Sequence, residues 1–373
     1  MASMVQILLS ACRPATNLLY RRCAANDFRS VIRQCNRCYS QRTCVLLSTA
    51  AVPRLPSRLG SLVGGTTVAA AGVFGLFSSV KDGEGGPKDD DITLMVKRAK
   101  LLIEQDKGAE AEIILHQALK LSQARQIDYA TAYVYDMLGE LALSQEHWSK
   151  AERLFKETLK VLVSSGTDQD DNAVLEISMK IAGIYASQGR TDLAQQGYQW
   201  CVKTLEEKIA NKSTDEDTVL LLGMCLHHYA AFAALQKQLF HARTLMSKAL
   251  MICRTVQGNE HPQTGVLLND LGTLYVEQGL YEEAIGCFQE AKEVAEKSSA
   301  EDLPAILCNM GTTLMHKKEF KEAKKTLQEA LALAKKNHDG LSKKEVLLCL
   351  EDLEKAKKAE KLNAAKSDGK QSS

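Results

Sequence analysis

The chain has 373 residues, 45% hydrophobic and 25% charged, enough to bury a sizeable core, and its scarcity of proline (6) favours helices over sheets. A formal net charge of +1 conceals an asymmetry: residues 1–80 hold nine Arg, no Lys and a single acid, Asp27, which makes them +8 and leaves −7 for the rest. That acidic balance argues against nucleic-acid binding by the part that follows.

Residues 1–58 are rich in Arg, Ser and Ala, with Arg13, Arg21, Arg22, Arg29, Arg33, Arg37 and Arg42 strung through apolar residues such as Leu8, Leu18 and Ile32. This is the composition of a mitochondrial transit peptide, because a positive amphipathic segment is drawn across an energised inner membrane. A secretory signal fits poorly, since the apolar run Met4 to Leu9 is short and the arginines follow it. Residues 59–80, LGSLVGGTTVAAAGVFGLFSSV, carry no charge over 22 positions. Such a run is long enough to span a bilayer, yet its small residues read equally as the end of a presequence extending to about residue 74. An acidic linker follows at 81–91, KDGEGGPKDDD.

Residues 92–336 repeat themselves. In Gly258 to Val294, Leu268, Leu271, Leu274 and Tyr275 share one helical face, and Ala284, Ile285, Phe288, Ala291 and Ala295 share another. Neither helix buries its apolar face alone, so the unit needs copies. The frame Gly272, Ala284, Phe288, Ala291 recurs at Gly311, Ala323, Leu327, Ala330. Upstream it recurs at Ala230, Ala242, Met246, Ala249; at Ala182, Ala194, Tyr198, Cys201; at Gly139, Ala151, Phe155, Thr158; and at Ala99, Ala111, Leu115, Ala118. About six helix pairs are expected, separated by turn chemistry at residues 164–172, 211–217, 257–263 and 298–302. An apolar stripe of Val346, Leu347, Leu350 and Leu353 predicts a capping helix over 337–361, and residues 362–373 have nothing to bury and read as a disordered tail.

This frame resembles the tetratricopeptide repeat, a helix-turn-helix with Leu-Gly, Tyr, Ala and an aromatic at fixed offsets. Successive copies here begin about 39 to 48 residues apart, beyond the usual 34, and with the Gly258 to Pro262 turn they look like the long-repeat form of kinesin light chains. The resemblance implies an all-α, right-handed superhelical solenoid. In such repeats the residue two before the glycine faces the inner groove, which here is Met137, Lys180, His228, Asp270 and Asn309. His228, Asn269, Asp270 and Asn309 are therefore the expected partner-binding residues, forming an exposed polar row. The presequence, uncharged run, linker and long repeats together resemble a mitochondrial branch of the family. That likeness implies a non-catalytic scaffold on the matrix side of the inner membrane, needing no cofactor or metal, that binds subunits of respiratory complex III or their fragments during assembly and upkeep. The competing reading is a cytosolic cargo or division adaptor of the kinesin-light-chain kind.

Other chemistry is weak in the sequence. Five of the eleven cysteines precede residue 45, including the only C-x-x-C, Cys35 and Cys38, with no second pair to complete a zinc site. Cys201, Cys225, Cys253, Cys287, Cys308 and Cys349 are spread singly, and Cys201 takes an Ala position of the frame as a small buried hydrophobe. His227 and His228 lie about 100° apart on a helix and do not converge on one metal. His261, before Pro262, suits a role in satisfying backbone groups. The acidic clusters at 168–171 and 215–217 lack the spacing of a calcium loop. No catalytic triad, H-E-x-x-H or phosphate-binding glycine loop is present, which excludes the common hydrolase signatures.

Overall fold

The computed structural model describes residues 90–211, 215–298 and 302–371, with side chains placed as far as 360. The expected transit peptide, uncharged run and most of the linker lie outside the described residues. Every element is a helix: α1 (Asp90–Glu104), α2 (Gly108–Ala124), α3 (Asp128–Ser144), α4 (Trp148–Ser164), α5 (Asn172–Ser187), α6 (Thr191–Asn211), α7 (Glu216–Leu235), α8 (Leu239–Val256), α9 (Pro262–Glu277), α10 (Tyr281–Ser298), α11 (Leu303–His316), α12 (Phe320–Lys336) and α13 (Gly340–Gln371). The described chain divides into two compact units after His228, within α7. In the first, α1 packs on α2, α3 on α4 and α5 on α6; in the second, α9 packs on α10, α11 on α12, and α13 closes against α12 and α11.

The small residues of the frame are where the helices touch. Ala99, Ala111, Ala151, Ala182, Ala194, Ala284, Ala291, Ala323 and Ala330 are wholly covered, as are the bulky Leu115, Phe155, Phe288 and Leu327. The contact is intimate: a Cβ placed on Gly272 would stand 2.6 Å from Phe288 Cε1, and one on Gly139 would stand 2.6 Å from Phe155 Cε1. The two repeats thus solve the same packing problem with the same ring-on-glycine contact, each ring burying apolar surface worth roughly 1.5–3 kcal/mol.

The turn within each pair is also repeated. Seven residues after the frame's first small residue the backbone turns left-handed, at Asp106 (φ 59°), Glu146 (61°), Gly189 (74°), Lys237 (60°), Gly279 (74°) and Lys318 (65°). The next residue then donates its N–H back to the helix that has just ended, as from Lys107 to Leu102 O at 2.8 Å, Leu280 to Tyr275 O at 2.9 Å and Glu319 to Leu314 O at 2.9 Å. This is the Schellman closure, which satisfies carbonyls that a helix end leaves unpaired. Four of the six turns place a side-chain-bearing residue where an L-residue is disfavoured by roughly 1–2 kcal/mol. Lys318→Gly should accordingly raise stability by about 0.5–1 kcal/mol once the extra chain entropy of glycine is deducted, read as a higher urea midpoint at unchanged slope. An unchanged or lower midpoint would mean that the turn is not held in this conformation.

Between pairs, side chains cap the entering helices. Asp171 accepts from Ala173 N–H at 2.8 Å, Asp215 from Thr218 N–H at 2.6 Å and Asp339 from Leu341 and Ser342 N–H at 3.0 Å. His261 does this through its ring, Nδ1 accepting from Gln263 N–H at 3.2 Å with Pro262 at the first helical position. Burial lowers the His261 pKa, which keeps the ring in the neutral form that accepts. The last helix runs on to Gln371, past the end at Lys361 expected from the sequence. Ala364, Ala365 and Lys366 are strong helix formers, and propensity carries the backbone on where the apolar stripe stops.

Candidate partner-binding surface

The polar row expected to line an open groove is covered instead. In the second unit Asn269 is fully buried, Asp270 is 4% exposed and Asn309 2%. The reason is visible in the geometry. Asn309 Nδ2 donates to Asn269 Oδ1 at 2.9 Å, so the residue two before the glycine of one repeat reaches back to the residue three before the glycine of the preceding repeat. α9 contacts α8, α10 and α11, and every residue from Thr264 to Leu274 is buried. The expectation of a solvent-facing row at these three residues is therefore corrected: all three are covered, and Asn269 and Asn309 bridge repeats. His228, in the first unit, is half-buried, and burial, then the adjacent His227, pushes its pKa down to about 3, so its imidazole is neutral at physiological pH.

The same bridge recurs in the first unit with charges in place of amides. Lys180, again two before the frame's small residue, donates to Asp136 at 2.9 Å, three before the previous glycine. Its Nζ also lies 2.7 Å from Glu140 and 3.0 Å from Glu176, and 5.5 Å from the centre of the Phe155 ring. Lys180 and Asp136 side chains are each 1% exposed and Glu176 4%, so two carboxylates share the cation away from water and Glu140, 22% exposed, closes the nest at its edge. Burial raises the pKa of Glu140, and raises that of Glu176 to about 7; the Lys180 charge opposes both shifts and Asp136 adds to them. Beside this nest Glu152 takes Lys156 at 2.8 Å and Arg190 at 3.1 Å, and the Arg190 guanidinium lies 4.0 Å over the Tyr185 ring. Such a seam fixes which residues of neighbouring pairs meet, at a desolvation cost that apolar residues would not bear.

Two features of this surface were not anticipated from the sequence. Asn269 Nδ2, wholly buried, has no hydrogen-bond partner among the described residues. Buried donors of this kind are met in native proteins by a protein group or an ordered water. On α8, Phe240 (72% exposed) and Met251 (63%) stand on the outer face, and Ser247, Leu250, Met251, Arg254 and Thr255 line a shallow depression of about 370 Å³. The spacing of Phe240, Thr244, Ser247 and Met251 marks an uncharged stripe on one face of α8 that is legible in the sequence. No cluster of three His, Cys, Asp or Glu able to hold a metal is found among the described residues.

A chain of small-residue helix pairs with Schellman turns and side chains bridging one repeat to the next defines a tetratricopeptide-repeat protein. Family models described as tetratricopeptide repeat match residues 223–297 and 304–337. The human protein named tetratricopeptide repeat protein 19, mitochondrial, is 40% identical over 275 residues, covering 71% of this chain and 72% of its own. The Drosophila melanogaster homolog of that name is 26% identical over 293 residues, covering 78% and 79%. The chain belongs to the family of tetratricopeptide repeat protein 19. Among solved structures, aspartyl phosphate phosphatase F from Bacillus subtilis is similar with a TM-score of 0.53 at 16% identity, covering 94% of this chain and 88% of that one. The apo form of RapI gives 0.51 at 14%, covering 68% and 79%. At such identity these two speak for the all-helical repeat fold alone.

Proposed function

We propose that this protein is a non-catalytic scaffold of the mitochondrial inner membrane, facing the matrix, that holds subunits of respiratory complex III or their fragments while the complex is assembled and maintained. The observation that carries the reading is the 40% identity over 275 residues to a human relative named as mitochondrial, joined to an Arg-rich, nearly acid-free stretch over residues 1–80. Tetratricopeptide repeats are protein-interaction scaffolds, so a protein ligand is the natural occupant. Asn269 Nδ2 is fully buried, so a partner backbone carbonyl would reach it only where neighbouring repeats of the second unit part, with Asn309 and Asp270 as further polar groups of that seam. An unsatisfied buried donor costs about 1–3 kcal/mol, which binding would recover.

Placement is tested separately from binding. Residues 1–80 fused to a fluorescent reporter should deliver it to mitochondria. A diffuse cytosolic signal would remove the inner-membrane reading and favour the cytosolic adaptor. If the uncharged run at 59–80 is retained after processing and spans the bilayer, the mature protein resists carbonate extraction. Full release with an intact N-terminus at Leu59 would contradict that.

A further inference from the structure

The last helix of the second unit meets α11 at a pair of thiols. Cys308 on α11 and Cys349 on α13, 41 residues apart in sequence, place their sulfurs 3.3 Å from each other. We propose that Cys308 and Cys349 form a redox-active dithiol that exchanges with small disulfides of the glutathione type and, when oxidised, covalently pins the terminal helix to the last repeat. Six cysteines are free thiols among the described residues; Cys201 on α6 also hydrogen-bonds Cys225 on α7, but both of those are fully buried, whereas Cys349 is only half-buried.

The two thiols are inequivalent in the way that sequential exchange requires. Cys349 is half-buried, whereas Cys308 is only 6% exposed. Hydrogen bonding from Cys308 lowers the Cys349 pKa against the effect of burial, and the Thr312 hydroxyl, 3.8 Å from Cys349 Sγ, acts in the same direction. Cys308 moves the other way: its hydrogen bond with Cys349, then burial, holds it protonated. Acidic neighbours on α13 bear on the thiolate as well. Burial, then Cys349, raises the Glu345 pKa to about 8, so this carboxyl adds little negative charge near neutrality, and Asp352 opposes ionisation of Cys349. Cys349 is thus the attacking sulfur and Cys308 the resolving one.

The chemistry balances without any further reagent. Cys349, having lost its proton to solvent, attacks one sulfur of oxidised glutathione; that S–S bond breaks, one glutathione thiolate leaves and takes up a proton, and a mixed disulfide remains on Cys349. Cys308 then gives up its proton and attacks Cys349 Sγ, expelling the second glutathione. Two protein thiols are oxidised and one glutathione disulfide is reduced to two thiols. Closing the sulfurs from contact to a bond of about 2.05 Å asks for a shift of roughly 1 Å, within reach of side-chain rotation. The bond would join helices around a core of Leu307, Leu314, Leu327, Val346 and Leu353, against which α13 docks.

The test uses the full chain, purified reduced and equilibrated against oxidised and reduced glutathione in varied ratio, then alkylated and digested. The expected result is a linked peptide containing Cys308 and Cys349, formed at a lower oxidant ratio than any change at Cys201, Cys225, Cys253 or Cys287, and reversed by reduced glutathione. The oxidised parent should also melt several degrees higher than the reduced, a difference that Cys349→Ser abolishes while its circular dichroism matches the parent. The idea fails if both thiols stay open to alkylation while other cysteines oxidise, or if Cys349 accumulates as a stable glutathione adduct that Cys308 never resolves.

Discussion

Replacing Lys180 with methionine should destabilise the first unit by about 3–5 kcal/mol at pH 8, a large part of the 5–15 kcal/mol that a domain typically has. Methionine keeps most of the volume, so the loss reports charge: Asp136, Glu140 and Glu176 would be left together without their shared cation. The sign of the pH dependence follows from the shifted groups. Glu176 is an acid whose folded pKa, about 7, lies above the ordinary 4.5, and that of Glu140 is raised too, so the folded state holds protons more tightly than the unfolded chain. Stability from these groups is fully present below pH 4.5 and is lost as pH rises through 7. The parent should therefore weaken between pH 5 and pH 8, Glu176→Gln should flatten that slope, and Lys180→Met should steepen it because the carboxyls can then be kept only as acids. Urea melts at both pH values decide it. Equal losses for Lys180→Met at pH 5 and 8 would show that the carboxylates do not depend on the lysine.

The second large effect separates two glycines of α9 and α10. Gly272→Ala drives a methyl to 2.6 Å from Phe288 Cε1, and Phe288 is fully buried, so the ring has no room to yield. A loss of about 1–3 kcal/mol is expected, with broadened melting as the misfit passes into neighbouring pairs. Gly286→Ala, two residues before Phe288 on α10, meets nothing within 4 Å and should gain about 0.5–1 kcal/mol from helix propensity alone. The two variants have the same composition, so opposite signs isolate packing from backbone entropy. A neutral Gly272→Ala would mean that the ring-on-glycine contact does not exist.

Sequence reasoning found the frame because small residues at fixed offsets leave a signal that survives substitution. Even the degenerate third copy obeys it: Ala182 replaces the frame's glycine, and the glycine reappears opposite as Gly197, whose added Cβ would come 2.8 Å from Ala182 Cβ. The left-handed turns were less legible, since Glu146, Lys237 and Lys318, unlike Asp106, are not residues that announce such a conformation. The exposure of the polar row was misread for a related reason. Periodicity tells which face of a helix a residue occupies, not whether a neighbouring repeat reaches it, and the back-bridges Lys180 to Asp136 and Asn309 to Asn269 join residues 44 and 40 positions apart. Cys308 and Cys349 likewise look solitary along the chain and meet only when α13 folds over α11.

The bridge also changes what alanine substitutions are expected to do. Asn309→Ala alone would strand Asn269 Oδ1 as well as Nδ2, adding a second unpaired atom in a buried place, whereas removing both amides leaves nothing unpaired. The measurement that bears most directly on the central claim therefore compares the mature parent with the Asn269→Ala, Asn309→Ala double variant, each used to capture proteins from solubilised mitochondrial membranes and each checked by thermal melting. The account predicts complex III subunits or their fragments among the proteins held by the parent, recovered roughly ten-fold less by a variant that melts within about 1 kcal/mol of it. Absence of complex III components from the parent capture, or equal recovery by both proteins, would contradict it.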